Sequence, residues 1–287
     1  MFDQRTAEFM QRVVAQKKES VSLGVTARRI HEDYALGSRK GKTIYFSAND
    51  REEMKMLLIS NGHAMAPVAK EGLSRSDLLA SGVPNEKAGG TAAKSERVSV
   101  KALAGKSLLL GDAISLPERC HLDANWLTIA PSVRHASIMV VENYEVFDQV
   151  HRVRFSLPEI YGSPLVLYRG DRYESRNDNV LAFIEACDLP VLAFVDIDPM
   201  GLLIATSLPR LAGIVAPERE ILETILESPA TGRRDLFQQQ YSVAGASLNS
   251  LPSSHCALPL WAMVSHHRAG VVQERWITSD ACCKLWI

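Results

Sequence analysis

Three short apolar runs, each followed by a helix-like stretch, dominate the hydrophobic pattern of the second half of the chain. The runs occupy 136–141, 164–168 and 190–195. The helix-like stretches that follow them occupy 144–150, 180–186 and 202–211. Continuous apolar runs of this length, bounded by turn residues, are typical of strands buried on both faces. The alternation of strands and helices therefore predicts a parallel sheet with right-handed crossovers.

Acidic residues close the first and the third of these runs. Glu142 follows the first run, and Asp196 and Asp198 follow the third. Because ligands of open α/β sheets bind beyond the carboxyl ends of the strands, we expect the three carboxylates to gather at one edge. Carboxylate oxygens are ligands that Mg²⁺ prefers. The alternative is that one aspartate caps the next helix while the other faces solvent.

The residues around these acids form three short motifs, Glu142–Asn143, Tyr168–Gly170 and Asp196–Gly201. They resemble the Toprim domain of topoisomerases, primases and certain nucleases, in which a glutamate follows the first strand and Asp-x-Asp follows the third. The residues of these motifs are similar to those of the Toprim branch shared by the topoisomerase VI A subunit and the nuclease subunit of Wadjet-type, SMC-like plasmid-defence systems. The resemblance covers residues 137–215. It implies a Toprim fold, a Rossmann-like parallel sheet flanked by helices.

A later segment, Gln273–Arg275, extends the resemblance. It is similar to a Glu-Gln-Glu-Arg-like element near the C-termini of the Wadjet-type nucleases, where acids or the arginine approach the metal site. This similarity makes Glu274 a candidate catalytic acid. The alternative places Glu274 and Arg275 on an amphipathic final helix that starts at Trp261.

The resemblance implies a metal-dependent DNA endonuclease that acts in plasmid or phage defence. Glu142, Asp196 and Asp198 would hold Mg²⁺ or Mn²⁺, and Glu142 would ligate a second ion or accept a proton from the attacking water. Arg169 and Arg172 would neutralise phosphate charge. Their alternative is that they are ordinary surface arginines. The implied partners are DNA and an SMC-like ATPase complex, and self-association into a homodimer stays open.

Two other functions remain open at this point. One is a catalytically silent Toprim module that binds DNA or a partner protein. The other is a topoisomerase-like strand transferase, which would need a tyrosine nucleophile. Tyr34 and Tyr45 lie in no motif of that kind, and this favours water as the nucleophile and hydrolysis as the reaction.

The pattern of the first part predicts a separate helical domain. Residues 5–16, 26–34 and 50–60 have helical patterns, and 43–46 is a β-branched and aromatic run typical of a strand. A polar turn before that strand carries Arg39, Lys40 and Lys42. This outline fits a winged-helix unit whose basic hairpin contacts DNA phosphates, or a small helical domain with a solvated basic loop.

Composition divides the chain further. We expect an N-terminal domain over 1–80, a Gly- and Ala-rich linker over 81–97, and a nuclease domain over 98–287 with extra N-terminal strands and a C-terminal helix. Residues 1–100 carry 16 Lys and Arg against 12 Asp and Glu, whereas the rest carries 16 against 21. The excess of positive charge in the first part suits phosphate contacts, and the acidic second part suits a carboxylate site that needs cations.

Other features exclude several classes of protein. No run of 18 apolar residues is present, so we expect no membrane-spanning helix. The five cysteines show no Cys-x-x-Cys spacing, and the first residues lack an apolar signal region, which together predict a cytoplasmic protein. No Walker loop or Gly-x-Gly-x-x-Gly motif occurs, so nucleotide hydrolysis is not expected.

Overall fold

The computed structural model describes residues 3–63, 65, 96–171 and 175–287, and the chain divides into two compact units, Met1–Ala93 and Lys94–Ile287. Of the linker expected over 81–97, only residues 96 and 97 belong to the described part.

The first unit combines three helices with a small antiparallel sheet. Its elements in chain order are α1 Gln4–Ala15, β1 Ser20–Ser22, α2 Val25–Tyr34, β2 Ser38–Lys40, β3 Thr43–Tyr45 and α3 Ala48–Ser60. The strand order is β1-β3-β2. All three helices and the strand predicted from the sequence are therefore confirmed, with ends shifted by one or two residues.

The core of this unit is made by buried side chains from all three helices and the central strand. Its buried side chains include Met10, Ile30, Ile44, Met54 and Leu58. The helix starts are set by side-chain caps, since Asp3 accepts the N–H of Thr6 and Ser47 forms a capping box with Asp50.

The second unit is built on an eight-stranded mixed sheet with helices packed against it. The strand order is β7-β4-β10-β8-β11-β12-β13-β9. The strands are β4 Arg97–Lys101, β7 Leu122–Asn125, β8 Ile138–Val141, β9 Arg154–Ser156, β10 Leu165–Tyr168, β11 Val191–Phe194, β12 Leu211–Pro217 and β13 Cys282–Trp286. A separate hairpin joins β5 Leu108–Leu110 to β6 Asp112–Ile114.

The helices of the second unit mostly follow strands. They are α4 Trp126–Ile129, α5 Tyr144–Asp148, α6 Asn177–Cys187, α7 Pro199–Ser207, α8 Arg219–Glu227, α9 Arg234–Asn249, α10 Leu258–His267 and α11 Arg275–Thr278. In the described parts of the chain, no helix combines the length and the apolar character that crossing a membrane requires.

Four parallel strands form the centre of the sheet, in the order β10-β8-β11-β12. Every residue of β8, β10 and β11 is buried, as expected for parallel strands covered on both faces. The predicted α/β fold with strand-helix alternation is therefore confirmed, although the sheet as a whole is mixed and only its centre is parallel. The extra strands expected ahead of the core are also present, because β4 and β7 extend the sheet in antiparallel fashion beside β10.

The C-terminal region differs from the prediction. A final helix was expected, but the last regular element described is strand β13, which pairs antiparallel with β12. β12 itself is a fourth parallel strand that the hydrophobic pattern did not separate from the preceding helix. Its sequence, Leu211–Pro217, contains Gly213, where a Cβ would overlap the backbone of Trp286 in β13. Glycine at this position lets the two strands approach.

Helix α6 offers a direct test of the core. Phe183 is fully buried against the sheet, whereas Leu181 on the same helix is 43% exposed. We expect Phe183→Ala to lower the free energy of unfolding by about 3–5 kcal/mol, because it removes a buried ring and leaves a cavity. Leu181→Ala serves as the matched control and should change it by less than about 0.5 kcal/mol. Urea unfolding followed by circular dichroism measures both, and equal effects would contradict the described packing.

Candidate functional site

The central strands reverse their order of connection between β8 and β11. After β8 the chain forms the edge strand β9, then β10 on one side of β8, and then β11 on the other side of β8. In open α/β sheets, ligands bind in the crevice beyond the carboxyl ends of the two strands at such a switch point. Glu142 directly follows β8, and Asp196 lies two residues beyond the end of β11. The topology alone therefore places these two acids beside each other.

The two acids are in direct contact. The backbone N–H of Asp196 donates to Oε2 of Glu142 at 3.1 Å, and the N–H of Glu142 donates to the carbonyl of Phe194 at 3.1 Å. The Glu142 side chain is only 16% exposed. The ends of β8 and β11 are therefore joined by a carboxylate as well as by the ladder between the strands.

A distant segment completes this edge of the sheet. Val271 exchanges two backbone hydrogen bonds of 2.9 Å with Ile197 in an isolated antiparallel bridge. Two residues further on, the N–H of Gln273 donates to Oδ1 of Asp196 at 2.7 Å. The segment 270–274 thus lies against the loop that carries the aspartates.

Gln273 links the ends of both strands through its side chain. Its amide nitrogen donates to the carbonyl of Phe194 at 2.8 Å, and its amide oxygen accepts the N–H of Asn143 at 3.1 Å. The residue is fully buried, and each of these bonds replaces one that water would otherwise supply. The sequence pointed to Gln273 only as one residue of the Gln-Glu-Arg segment, and its bridging role was not predicted.

Glu274 reaches the same edge through Asn143. Oε1 of Glu274 accepts from the Asn143 amide nitrogen at 2.7 Å, while Oδ1 of Asn143 caps helix α5. Oε2 of Glu274 is buried and has no hydrogen-bond partner among the described residues. The alternative that placed Glu274 on a helix from Trp261 is wrong, because α10 ends at His267 and Glu274 precedes the short helix α11.

Asp198 takes a different position from Asp196. It is the N-cap of helix α7 and is only 2% exposed. Its Oδ1 accepts the N–H of Gly201 at 2.8 Å, and its Oδ2 accepts from the amide of Gln240 at 2.9 Å. The capping role considered for one aspartate of the pair is therefore observed for Asp198. No sequence signal pointed to Gln240.

Two glycines allow the loops of this site to approach closely. A Cβ at Gly201 would overlap the carbonyl oxygen of Asp196, and a Cβ at Gly270 would lie 2.5 Å from the Cβ of Asp198. Side chains at either position would push the aspartate loop away from its neighbours. The glycine in the Asp196–Gly201 motif therefore has a packing reason.

Burial and neighbouring negative charges raise the pKa values of two acids of this site. Burial, reinforced by the charges of Glu142, Asp198 and Glu274, raises the pKa of Asp196 to about 7 against an opposing hydrogen bond from Gln273. Burial also raises the pKa of Glu142, while the Asp196 N–H and Arg169 act in the opposite direction. Four carboxylates therefore interact at one edge of the sheet, and a cation there would relieve their repulsion.

Of the predicted basic residues, the structure brings Arg169 to this edge. Its Nη2 lies 4.0 Å from Oε1 of Glu142, and its Nε is buried without a hydrogen-bond partner in the described part of the chain. Arg172 lies outside the described residues. Arg39 and Lys40 lie on β2, at the end of the β2–β3 hairpin of the first unit, and Lys42 precedes β3. All three side chains are exposed.

Among the residues that the structure describes, no three His, Cys, Asp or Glu side chains are arranged so that they could hold a metal ion. The ligand role predicted for Glu142, Asp196 and Asp198 accordingly stays a prediction. The acids do supply buried carboxylate oxygens. Among them, the unpartnered Oε2 of Glu274 is an acceptor that could take a hydrogen bond or bind a cation.

Comparison with known proteins adds a family but no activity. No curated protein shows significant similarity to the chain. A family model described as a domain of unknown function, DUF7281, matches residues 95–283. This match covers more than half of the 287 residues and includes every strand and acid of the site described above. The protein therefore belongs to the DUF7281 family.

Proposed function

We propose that this protein is a metal-dependent DNA endonuclease of the Toprim type. The observation that carries the proposal is the contact between Glu142 and Asp196 at the switch point of the parallel sheet, where burial and neighbouring carboxylates raise the pKa of Asp196 to about 7. A site of this charge favours a divalent cation, and a cation favours an anionic substrate such as a phosphodiester.

The assignment to Toprim and the setting in plasmid defence with an SMC-like ATPase rest on the motif resemblance. The Toprim assignment is also supported by the strand order, since the glutamate and the aspartate of the resemblance follow neighbouring parallel strands. Glu274 supports it as well, because the later segment of the resemblance lies against the same edge through Asn143 and Gln273.

The donor chemistry fits Mg²⁺ or Mn²⁺. Asp196 and Glu274 would hold the ion with carboxylate oxygens, water and phosphate would fill its other positions, and Asp198 would add charge while it keeps helix α7 in place. Once bound, such an ion polarises a phosphate and lowers the pKa of a coordinated water. A bound cation would give the buried Oε2 of Glu274 the partner that it lacks among the described residues.

The other residues have roles that do not depend on an ion. Arg169, at the end of β10, would contact a phosphate of the substrate. Glu142, whose pKa is raised by burial, would accept a proton from the water that attacks phosphorus. Gln273 is hydrogen-bonded to the backbone at the ends of both acidic strands and so keeps Glu142 and Asp196 in position. In the first unit, the exposed basic hairpin would contact the DNA backbone.

A specific observation favours a second candidate, a Toprim-like module that binds DNA or a partner without cutting. Both carboxylate oxygens of Asp198 already accept hydrogen bonds, and the described residues offer no ready group of three metal ligands. Cleavage assays separate this module from the nuclease.

The first test is cleavage itself. We expect the protein, alone or with its partners, to nick or linearise plasmid DNA only when Mg²⁺ or Mn²⁺ is present, and Asp196→Asn to abolish cleavage. Asparagine keeps the shape and the acceptor for the Gln273 N–H but removes the charge. Asp188→Asn, at an exposed acid beside Arg210, is the matched control and should cleave normally. Undiminished cleavage by Asp196→Asn would refute the site.

The second test uses stability instead of activity. The folded protein holds a proton on Asp196 up to about pH 7, whereas the unfolded chain releases it near the ordinary value of 3.8. The folded state therefore binds more protons in this window, so the free energy of unfolding falls as pH rises from 4 to 7, by at most about 4 kcal/mol.

Urea unfolding at pH 5 and pH 8 measures this change. Asp196→Asn should flatten the fall between the two pH values, while Asp188→Asn should retain it. Under the proposal, Mg²⁺ should raise the stability of the parent at pH 8 and leave that of Asp196→Asn unchanged. A parent protein that is equally stable with and without Mg²⁺ at pH 8 would argue for the module that does not cut.

The third test concerns DNA capture. Changing Arg39, Lys40 and Lys42 to Gln should weaken DNA binding and reduce its salt dependence by up to about three charges, each contributing about 0.9 to the logarithmic slope. The same change at Arg5, Arg12 and Lys18, which are exposed residues of the same unit, is the control. Fluorescence anisotropy across a salt series measures both variants. An unchanged slope in the hairpin variant would leave a partner protein as the ligand of this unit.

A further inference from the structure

A polar cavity lies at the C-terminal end of helix α5, whose N-terminal end is capped by Asn143 at the acidic site. The cavity has a volume of about 70 Å³, room for several waters. Strand β4, the loop before β7 and the turn after α5 line it. Its charged and polar side chains are Lys101, Lys106, Glu118, Arg119, Cys120 and His151.

Lys101 is the most unusual of these residues, because its side chain is only 4% exposed. Its Nζ donates to the carbonyls of Phe147 at 3.3 Å and Asp148 at 3.1 Å. Burial lowers the pKa of this ammonium group. An ammonium group has three donors, so one remains for a ligand beside these two bonds and the ring of Phe147, whose centre lies 5.3 Å from Nζ.

The neighbouring side chains also offer donors. Arg119 is held by Asp148 through a 2.8 Å bond from Nε, which leaves its terminal nitrogens available. His151 has a buried Nδ1 without a hydrogen-bond partner in the described part of the chain, and its Nε2 lies 3.8 Å from Glu118. Lys106 is exposed at the rim. Cationic and imidazole groups thus outnumber the two acids, Glu118 and Asp148.

A larger cavity of about 290 Å³, lined mostly by apolar residues, adjoins the polar one. The two have Leu103, Ala104, Lys106 and Val150 in common in their linings, so they lie side by side. The second is continued by Val153, Phe155 and Leu157. Concave sites that combine an apolar wall with a few converging polar groups are typical of small-molecule binding.

We propose that the two cavities together bind one small organic anion, with a phosphate or carboxylate head among Lys101, Lys106 and Arg119 and an apolar body against Phe155 and Leu157. The buried Nδ1 of His151 and the remaining donor of Lys101 are satisfied by the head group. The apolar part covers side chains that line the larger cavity. The proposal is independent of the nuclease site, since it uses none of the acids at the switch point.

Calorimetry with simple probes tests this assignment on the full chain. Phenyl phosphate and phenylacetate present the two head groups on the same apolar ring, and inorganic phosphate presents the head alone. We expect one phenyl compound to bind at least tenfold more tightly than inorganic phosphate, and the preferred compound identifies the head group.

Variants then assign the two halves of the site. Lys106→Ala removes one charge-assisted hydrogen bond and should weaken phenyl-anion binding about tenfold or more. Leu157→Ala should weaken the phenyl compound while it leaves inorganic phosphate unchanged. Lys284→Ala, at an exposed lysine paired with Glu218, is the control for net charge and should bind as the parent does. Because Lys106 is exposed, its replacement should not disturb folding, and circular dichroism verifies this.

Three outcomes would overturn the proposal. They are the absence of binding by both phenyl compounds, equal affinities for inorganic phosphate and the phenyl compounds, and an unchanged affinity in Lys106→Ala. Each is measured without DNA or divalent metal, so failure here leaves the proposed endonuclease activity untouched.

Discussion

The structure of the second unit depends on how two acids can be buried side by side. Removing a carboxylate from water costs several kcal/mol unless hydrogen bonds or opposite charges compensate. Glu142 and Asp196 are compensated by backbone N–H groups and by Arg169. These donors come from β10, from the loop after β11 and from a segment more than 70 residues further along the chain. The need to satisfy the acids therefore fixes how all three parts meet.

The central strands could be predicted because the physical signal is local. β8, β10 and β11 are buried on both faces, so each is a continuous apolar run between turn residues. β12 and β13 gave a weaker signal, since β12 follows an apolar helix almost directly and β13 is only partly buried. Their pairing joins Ile214 to Trp286, and such long-range contacts leave no local pattern.

The candidate site could likewise be predicted only in part, where the signal is local. Glu142 and Asp196 could be located from the rule that strand ends meet at one edge, and the structure brings them into contact. The role of Asp198 could not be chosen from sequence, because a carboxylate that caps a helix and one that binds a cation look alike there. Its partner Gln240 lies on another helix, 42 residues away. Gln273 bridges strands that are far from it in sequence, so its contribution also becomes visible only in three dimensions.

The bridge between Ile197 and Val271 has a consequence for the order in which this molecule is made. Both the bridge and the bonds of Gln273 require residues that the ribosome adds late. The acidic strands β8 and β11 precede that segment in the chain, so they can leave the ribosome and pair before it is made. While the 77 residues from Asp196 to Gln273 are being made, Asp196 lacks the hydrogen bond from the Gln273 N–H, and the acidic edge is assembled only when the later segment has left the ribosome.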